Sequence, residues 1–430
     1  MSTISREIDV FLGEGANPIG ILRFATNGRR EHSSFVYSDF WLEHKASFAI
    51  DPALQLVQGP QFHTGGKGEW SSVFHGVISD TEPDGWGKRV MMRRHARQQR
   101  VQTNANAEPL NTLDFLLGVD DAARMGALRF RDENGNFCST RAEEAGTAPP
   151  RVHLDQLIHS SQAIERDEET ERDIQYLEGN GTTLGGMRPK SSIQDDEWGL
   201  CIGKFPSAGD TKPVTKAEIL ALKLAAMAGM DVAEGKVVRT EAGNDVAVIR
   251  RFDRDDAGRR KLYASAKTML QVEDDDEHTY TELADVIKQY SPRASEDLSE
   301  MWKRMVFNIL INNVDDHLRN HAFLYDGQRK WILSPGFDIN PFPDKARELK
   351  LWVSEDHGPE ALVQSAMDIA PLFGLRNRDA ATAALAPIVK SLQKWREVGR
   401  SQDVGMTNAE LGQYENAFEH AELEFAAGLV

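Results

Sequence analysis

Cysteine is nearly absent: Cys138 and Cys201 are the only two in 430 residues, and they stand far apart. A disulfide framework is excluded, and a reducing, cytoplasmic setting is expected. Long apolar runs are missing too. Met1 to Phe11 contains no apolar core and the window Ile219 to Met230 is broken by Lys223, so neither a secretory signal nor a membrane span is expected. Positive charge is in deficit, with 50 Lys and Arg against 67 Asp and Glu, a net charge of −17. Broad, sequence-independent nucleic-acid binding is therefore disfavoured, although basic patches remain at 93–97 and 250–251. No internal repeat or long low-complexity segment occurs.

What is present describes a globular chain with room for two or three domains: 40% hydrophobic and 27% charged residues. Residues 5–25 alternate apolar and polar positions around a turn at Gly13 to Gly15, which predicts a hairpin. Phe35, Tyr37, Phe40 and Trp41 continue a β-rich, aromatic first unit. Pro83-Asp84-Gly85-Trp86-Gly87 forms a turn before a basic helix, Lys88 to Arg100, expected to expose a solvated basic face. Met125 to Phe130 reads as a strand and 132–150 as a linker. A helix is expected over Leu154 to Ile164, and the acidic run Asp167 to Asp173 as a solvated helix face.

The informative stretch is Asn312-Asn313-Val314-Asp315-Asp316-His317-Leu318-Arg319-Asn320-His321, with Ser334-Pro335-Gly336-Phe337-Asp338-Ile339-Asn340 after it. A carboxylate five residues before an Asn lets one tight loop offer an acceptor for a hydroxyl proton and a neutral oxygen for magnesium, the layout of phosphoryl transfer. Asp315 fits the base, Asn320 the amide ligand and Asp338 the metal carboxylate. Magnesium needs few protein carboxylates, so this set suffices. His317 and His321 are four apart, but Leu318 stands where a zinc-protease helix would carry Glu, so zinc is discounted.

Three earlier features complete the order. Gly179-Asn180-Gly181-Thr182-Thr183-Leu184-Gly185-Gly186-Met187-Arg188-Pro189-Lys190 is glycine-rich enough for backbone amides to cradle phosphate, though it is not a Walker A loop. Lys204 lies among apolar neighbours in a short strand, Leu200 to Pro206. Glu218 is placed at the start of an Ala/Leu helix, 218–229, closed by Gly229, as a partner to position that lysine. Val246 to Arg254 reads as a strand suited to a hinge, and the chain beyond it as mainly helical, including Tyr280 to Gln289 and Asp297 to Asn313. The cluster 273–277 reads as a solvated acidic loop.

With these motifs in view, the chain resembles the HipA family of bacterial serine/threonine kinases, the toxins of type II toxin–antitoxin modules. The likeness rests on 83–87, 126–128, 185–190, 204–206, 251–254, 315–320 and 335–339. It implies a two-lobed, protein-kinase-like α/β (α+β) fold: 1–148 as a β-rich N-terminal region, 149–256 as the nucleotide-binding part and 257–430 as a helical catalytic lobe. It implies ATP bound by Gly185, Gly186, Met187, Arg188, Pro189, Lys190, Lys204, Arg250, Arg251, Phe252, His317, Asn320, Phe337 and Asp338. Asp315 would be the base, Glu218 would position lysine, and Asn320 and Asp338 would hold Mg2+. Autophosphorylation would fall at Thr183 or Thr182, where family members carry Ser, and would repel ATP by adding roughly two negative charges. The family implies a protein substrate, commonly an aminoacyl-tRNA synthetase, a HipB-like helix-turn-helix antitoxin, operator DNA reached through that antitoxin, and no membrane. The same ATP machinery would also serve a small-molecule or lipid kinase, and a catalytically weak corepressor is the non-enzymatic alternative.

Overall fold

The computed structural model describes residues 4–15, 17–27, 30–63, 65, 72–83, 85–101, 109–132, 134–138, 153–179, 187–272 and 277–430. The chain is mixed α/β and divides into two compact units. One comprises 1–209, 240–244 and 253–264, and the other 210–239, 245–252 and 265–430. Thr182, Thr183, Gly185, Gly186, Asp84, 273–276 and most of the expected linker lie outside the described residues.

In the first unit, β1 (Ile4–Leu12), β2 (Asn17–Asn27), β3 (Arg30–Tyr37), β4 (Gln61–His63) and β5 (Leu128–Arg131) form a sheet in the order β4-β3-β2-β1-β5. The pairs are antiparallel, and β1 with β2 is the expected hairpin. Alternation sends Ile8, Val10, Leu22, Phe24 and Phe35 into the core. Phe40 and Trp41 are not in a strand. Ser38 accepts a hydrogen bond from the Trp41 amide and caps α1 (Asp39–Glu43), so local capping overrides the aromatic β preference. The helices α2 (Gly76–Ser79), α3 (Gly85–Val101), α4 (Thr112–Leu117), α5 (Leu154–Glu165) and α6 (Glu171–Gly179) follow, and then the antiparallel strands β6 (Lys190–Asp195) and β7 (Gly199–Lys204).

The two charge runs read as solvated faces partner each other. Arg93 pairs with Asp167 and Glu169, and Arg97 donates to the Glu169 carbonyl. The helix begins only at Glu171, and Glu169 and Asp173 are buried. Asp173 accepts from the Thr170 amide and from the Ser160 hydroxyl at 2.8 Å, so it caps α6 instead of facing water. Burial opposes its ionisation, but these hydrogen bonds hold its carboxyl below the usual range.

Arg251 to Arg254 is not strand either. Asp253, 1% exposed, accepts from the Gly126 amide and from Arg254, both at 2.7 Å, while Arg254 also donates to the Arg124 carbonyl at 2.9 Å. The clamp holds Gly126 at φ +72, with Tyr263 3.2 Å from where a Cβ would stand, so glycine is required there.

The second unit holds α7 (Val214–Met227), the antiparallel pair β8 (Gly235–Arg239) and β9 (Asp245–Arg250), and then the short strand β10 (Tyr263–Ser265), which begins in the first unit and ends in the second. Next come α8 (Ala266–Leu270), β11 (His278–Thr279), α9 (Tyr280–Tyr290), α10 (Ala294–Leu310), the hairpin β12 (Ala322–Gly327) and β13 (Lys330–Leu333), and β14 (Leu351–Trp352). The helices α11 to α16 fill Val363–Leu429. Leu298, Met301, Trp302, Met305 and Ile309 bury one flank of α10, and Val306, Phe307 and Leu310 bury the other side of its last turns, which makes it the core of this unit. Among the described residues no helix is long and apolar enough to cross a membrane.

Candidate active site

The candidate loop is built from the end of α10. That helix stops at Leu310, three residues short of the expected Asn313, because Asn312 takes a left-handed conformation, φ 56. Asn312 is buried and donates to the Phe342 carbonyl at 2.5 Å, while Asn313 donates to Asn308 Oδ1 at 3.0 Å. Asn312 therefore fixes backbone, and Asn313 fixes the side chain of Asn308. The chain then passes Asp315 and Asp316, makes a 3-10 turn over Leu318–Asn320 and enters β12.

Adjacent carboxylates have opposite environments. Asp316 is 2% exposed and receives hydrogen bonds from Asn308 Nδ2 at 3.0 Å, His321 Nε2 at 2.8 Å and the Tyr280 hydroxyl. Burial works against its charge, yet the neighbouring His321 and the donated hydrogen bonds hold its carboxyl below the ordinary range. Tyr280 is displaced the other way, well upward, by burial and then by the Asp316 charge. Asp315, in contrast, leaves 40% of its side chain exposed, with Lys350 Nζ 2.5 Å from Oδ1. One carboxylate is the anchor of the loop and the other is presented.

Asp338 is set by a second brace. Gly336 donates to the Asp231 carbonyl and accepts from the Ala233 amide, both at 2.8 Å. The buried Arg304 spans the same segment, donating to the Ser334 carbonyl at 2.7 Å and the Asp231 carbonyl at 3.0 Å. Asp338 itself has φ 57, a left-handed backbone uncommon outside glycine, and accepts from Asn340 at 3.0 Å. Phe337 lies beside Phe252, ring centroids 5.2 Å apart. In the same unit Arg250 pairs with Glu234 at 2.9 Å, and Arg251 is buried. Glu218 is buried in the second turn of α7, which begins at Val214 and not at 218.

In the first unit, Lys190 and Lys204 face each other across the β6–β7 ladder. The Phe205 amide donates to the Pro189 carbonyl at 3.0 Å, so the lysine pair occupies the adjoining non-hydrogen-bonded position, where side chains stand closest. Met187 is exposed, and its sulfur occupies the space a Cβ on Gly85 would need. Gly85 of the 83–87 motif thus makes room for the end of the glycine-rich segment.

Sequence reasoning missed Tyr280, Asn308 and Lys350. Asn308 alone left a trace, an amide among the apolar residues of α10.

A family model described as the HipA-like C-terminal domain matches residues 182–395. The chain carries a HipA-like C-terminal domain. HipA of Shewanella oneidensis, solved in a complex with HipB and operator DNA, superposes with a TM-score of 0.68 over 97% of this chain and 96% of its own, at 15% identity. The fold around the HipA-like domain is therefore that of HipA. Two proteins of Sinorhizobium fredii, each provisionally named a kinase, are similar in sequence. Y4dM is 30% identical over 168 residues, 36% of this chain and 40% of its own length. Y4mE is 26% identical over 359 residues, 77% of this chain and 78% of its own. A Haemophilus influenzae protein, also provisionally named a kinase, is 25% identical over 38% of this chain and 54% of its own length. The chain thus spans about half or less of two of these relatives.

Proposed function

We propose that the protein is an ATP-dependent serine/threonine protein kinase of the HipA type. The observation that carries this reading is the contrast between Asp316, buried and saturated with donors, and Asp315, held out beside it on a fixed backbone. Asp315 would take the proton of the acceptor hydroxyl as general base. Lys190 and Lys204 offer paired cations to ATP phosphates, with Gly185, Gly186, Met187, Arg188 and Pro189 leading into them. Phe252, flanked by Phe337, offers an aromatic face for the base, and Arg250, Arg251 and His317 belong to the same proposed set.

The donors on Asn320 and Asp338 are an amide oxygen and a carboxylate, hard ligands that fit Mg2+. When bound, the ion would neutralise phosphate charge. The chain's own contribution is orientation: the Gly336–Arg304 brace fixes Asp338, and the 3-10 turn fixes Asn320.

The biological reading follows from the kinship. The Shewanella HipA is held with HipB and operator DNA, so we assign this chain the toxin role, restrained by a HipB-like helix-turn-helix antitoxin through which it reaches DNA. A net charge of −17 suits contact with a basic, DNA-binding partner. The substrate class is a protein, an aminoacyl-tRNA synthetase being the family's common target, and Thr183 or Thr182 is the autophosphorylation site.

The deciding experiment incubates the protein with γ-labelled ATP, Mg2+ and a cell lysate. A discrete labelled protein, absent with Asp315→Asn, supports the reading; label confined to small molecules overturns it. Phosphopeptide mass spectrometry of the same samples identifies the target and tests Thr182 and Thr183.

A further inference from the structure

Lys350 lies 35 positions beyond Asp315, outside the motifs above, yet its ammonium is 2.5 Å from the Asp315 carboxylate. The backbone that delivers it is secured on both sides. Lys350 N–H donates to the Val314 carbonyl at 3.3 Å, directly before Asp315, and Leu349 N–H donates to the Pro359 carbonyl at 2.7 Å. Leu351 and Trp352 pair in parallel with His278 and Thr279, and Leu349 and Leu351 are 3% and 1% exposed. Only the head of the lysine is loose: its side chain is 61% exposed.

An exposed ion pair by itself contributes little stability. Placement is more informative here. The acceptor hydroxyl must reach this carboxylate, and a cation displaced from Oδ1 as it arrives then needs another anion. The phosphoryl group undergoing transfer supplies one at that moment. A lysine serves as a compact point charge for phosphate, and its anchored stem with a mobile head allows a short swing from carboxylate to phosphate.

We propose that Lys350 is a catalytic residue, the cation that rests on Asp315 and moves to the transferring phosphoryl group when the acceptor hydroxyl takes its place. This rests on the kinase reading given above. The acceptor oxygen forms its bond to the γ-phosphorus as the bond from that phosphorus to the ADP oxygen breaks. The hydroxyl proton passes to Asp315, the electron pair of the broken bond leaves on ADP, and Lys350 keeps its proton throughout. The lysine acts on the charge that spreads over the transferring group, an interaction stronger in the transition state than in bound ATP.

The test compares full-length wild type, Lys350→Met, Lys350→Arg and Asp315→Asn. It measures transfer from γ-labelled ATP across a pH series, binding of a fluorescent ATP analogue, and thermal melting. Lys350→Met is expected to lower turnover by about 10²–10³-fold, the usual loss for one stabilising donor, with nucleotide affinity changed less than about threefold. Lys350→Arg keeps the charge and recovers part of the rate. Turnover in Lys350→Met within about threefold of wild type, with Asp315→Asn inactive, overturns the assignment and leaves the kinase reading intact. A folded wild type that transfers no phosphoryl group overturns both.

Discussion

His321 Nε2 stands 2.8 Å from Asp316 Oδ2, tying the end of the candidate loop back to its start. Tyr280 and Asn308 complete the set around that carboxylate. Tyr280→Phe leaves a buried oxygen short of one donor and is expected to cost about 1–3 kcal/mol in urea unfolding. Because the loop carries Asp315 together with His317 and Asn320, turnover and nucleotide affinity should both fall. An unchanged urea midpoint with unchanged turnover would show that the hydroxyl does not support the loop.

The facing pair Lys190 and Lys204 predicts a ligand-dependent stability. ATP at a hundred times its Kd should stabilise the folded protein by about 2.7 kcal/mol, read as an upward shift of the melting temperature. Lys204→Met should weaken that shift strongly. The same shift in wild type and variant would remove Lys204 from the nucleotide site.

Asp253→Ala abandons the Gly126 amide and the Arg254 guanidinium, both within 2.7 Å of the lost carboxylate. Removing one partner of a buried charged pair costs about 3–5 kcal/mol, so urea unfolding should move to lower concentration by that equivalent. Asp253→Asn, which can still accept from Gly126, should lie between the two.

His75 predicts an acid-labile first unit. It is buried, Nδ1 has no hydrogen-bond partner among the described residues, and burial together with the adjacent His63 lowers its pKa to about 4. A base with a depressed folded pKa contributes stability above its ordinary value of 6.5, and that stability is lost as pH falls toward 4. The loss from this group between pH 7 and pH 4 is about 3 kcal/mol at 1.36 kcal/mol per unit. Chemical denaturation at both pH values, wild type against His75→Phe, should show a shallower acid decline in the variant. Parallel declines would assign the acid sensitivity elsewhere.

Local signals made much of this chain readable. The β1–β2 hairpin, the basic helix α3 and the long amphipathic α10 follow from alternation, turn residues and helical period. The order of Lys204, Asp315, Asn320 and Asp338 was read from the spacing that phosphoryl transfer imposes, Asp315 and Asn320 sharing one loop. Contacts between distant segments were not legible. The partnership of Arg93 with Asp167 spans 74 positions, and composition alone makes each run look solvated. Lys350 is brought beside Asp315 by its amide's bond to Val314 and by the pairing of β11 with β14, two residues each, too short to leave a pattern. Helix ends were misplaced at Val214 and Asn312, and the helix capped by Ser38 was read as part of a β-rich unit.

The left-handed backbone at Asp338 narrows how this position can change. Among non-glycine residues that geometry is best tolerated by Asn and Asp. A drift from Asp to Asn would preserve the shape of the segment while deleting its charge. Under the kinase reading proposed above, a well-folded but inactive copy of this protein is thus one substitution away.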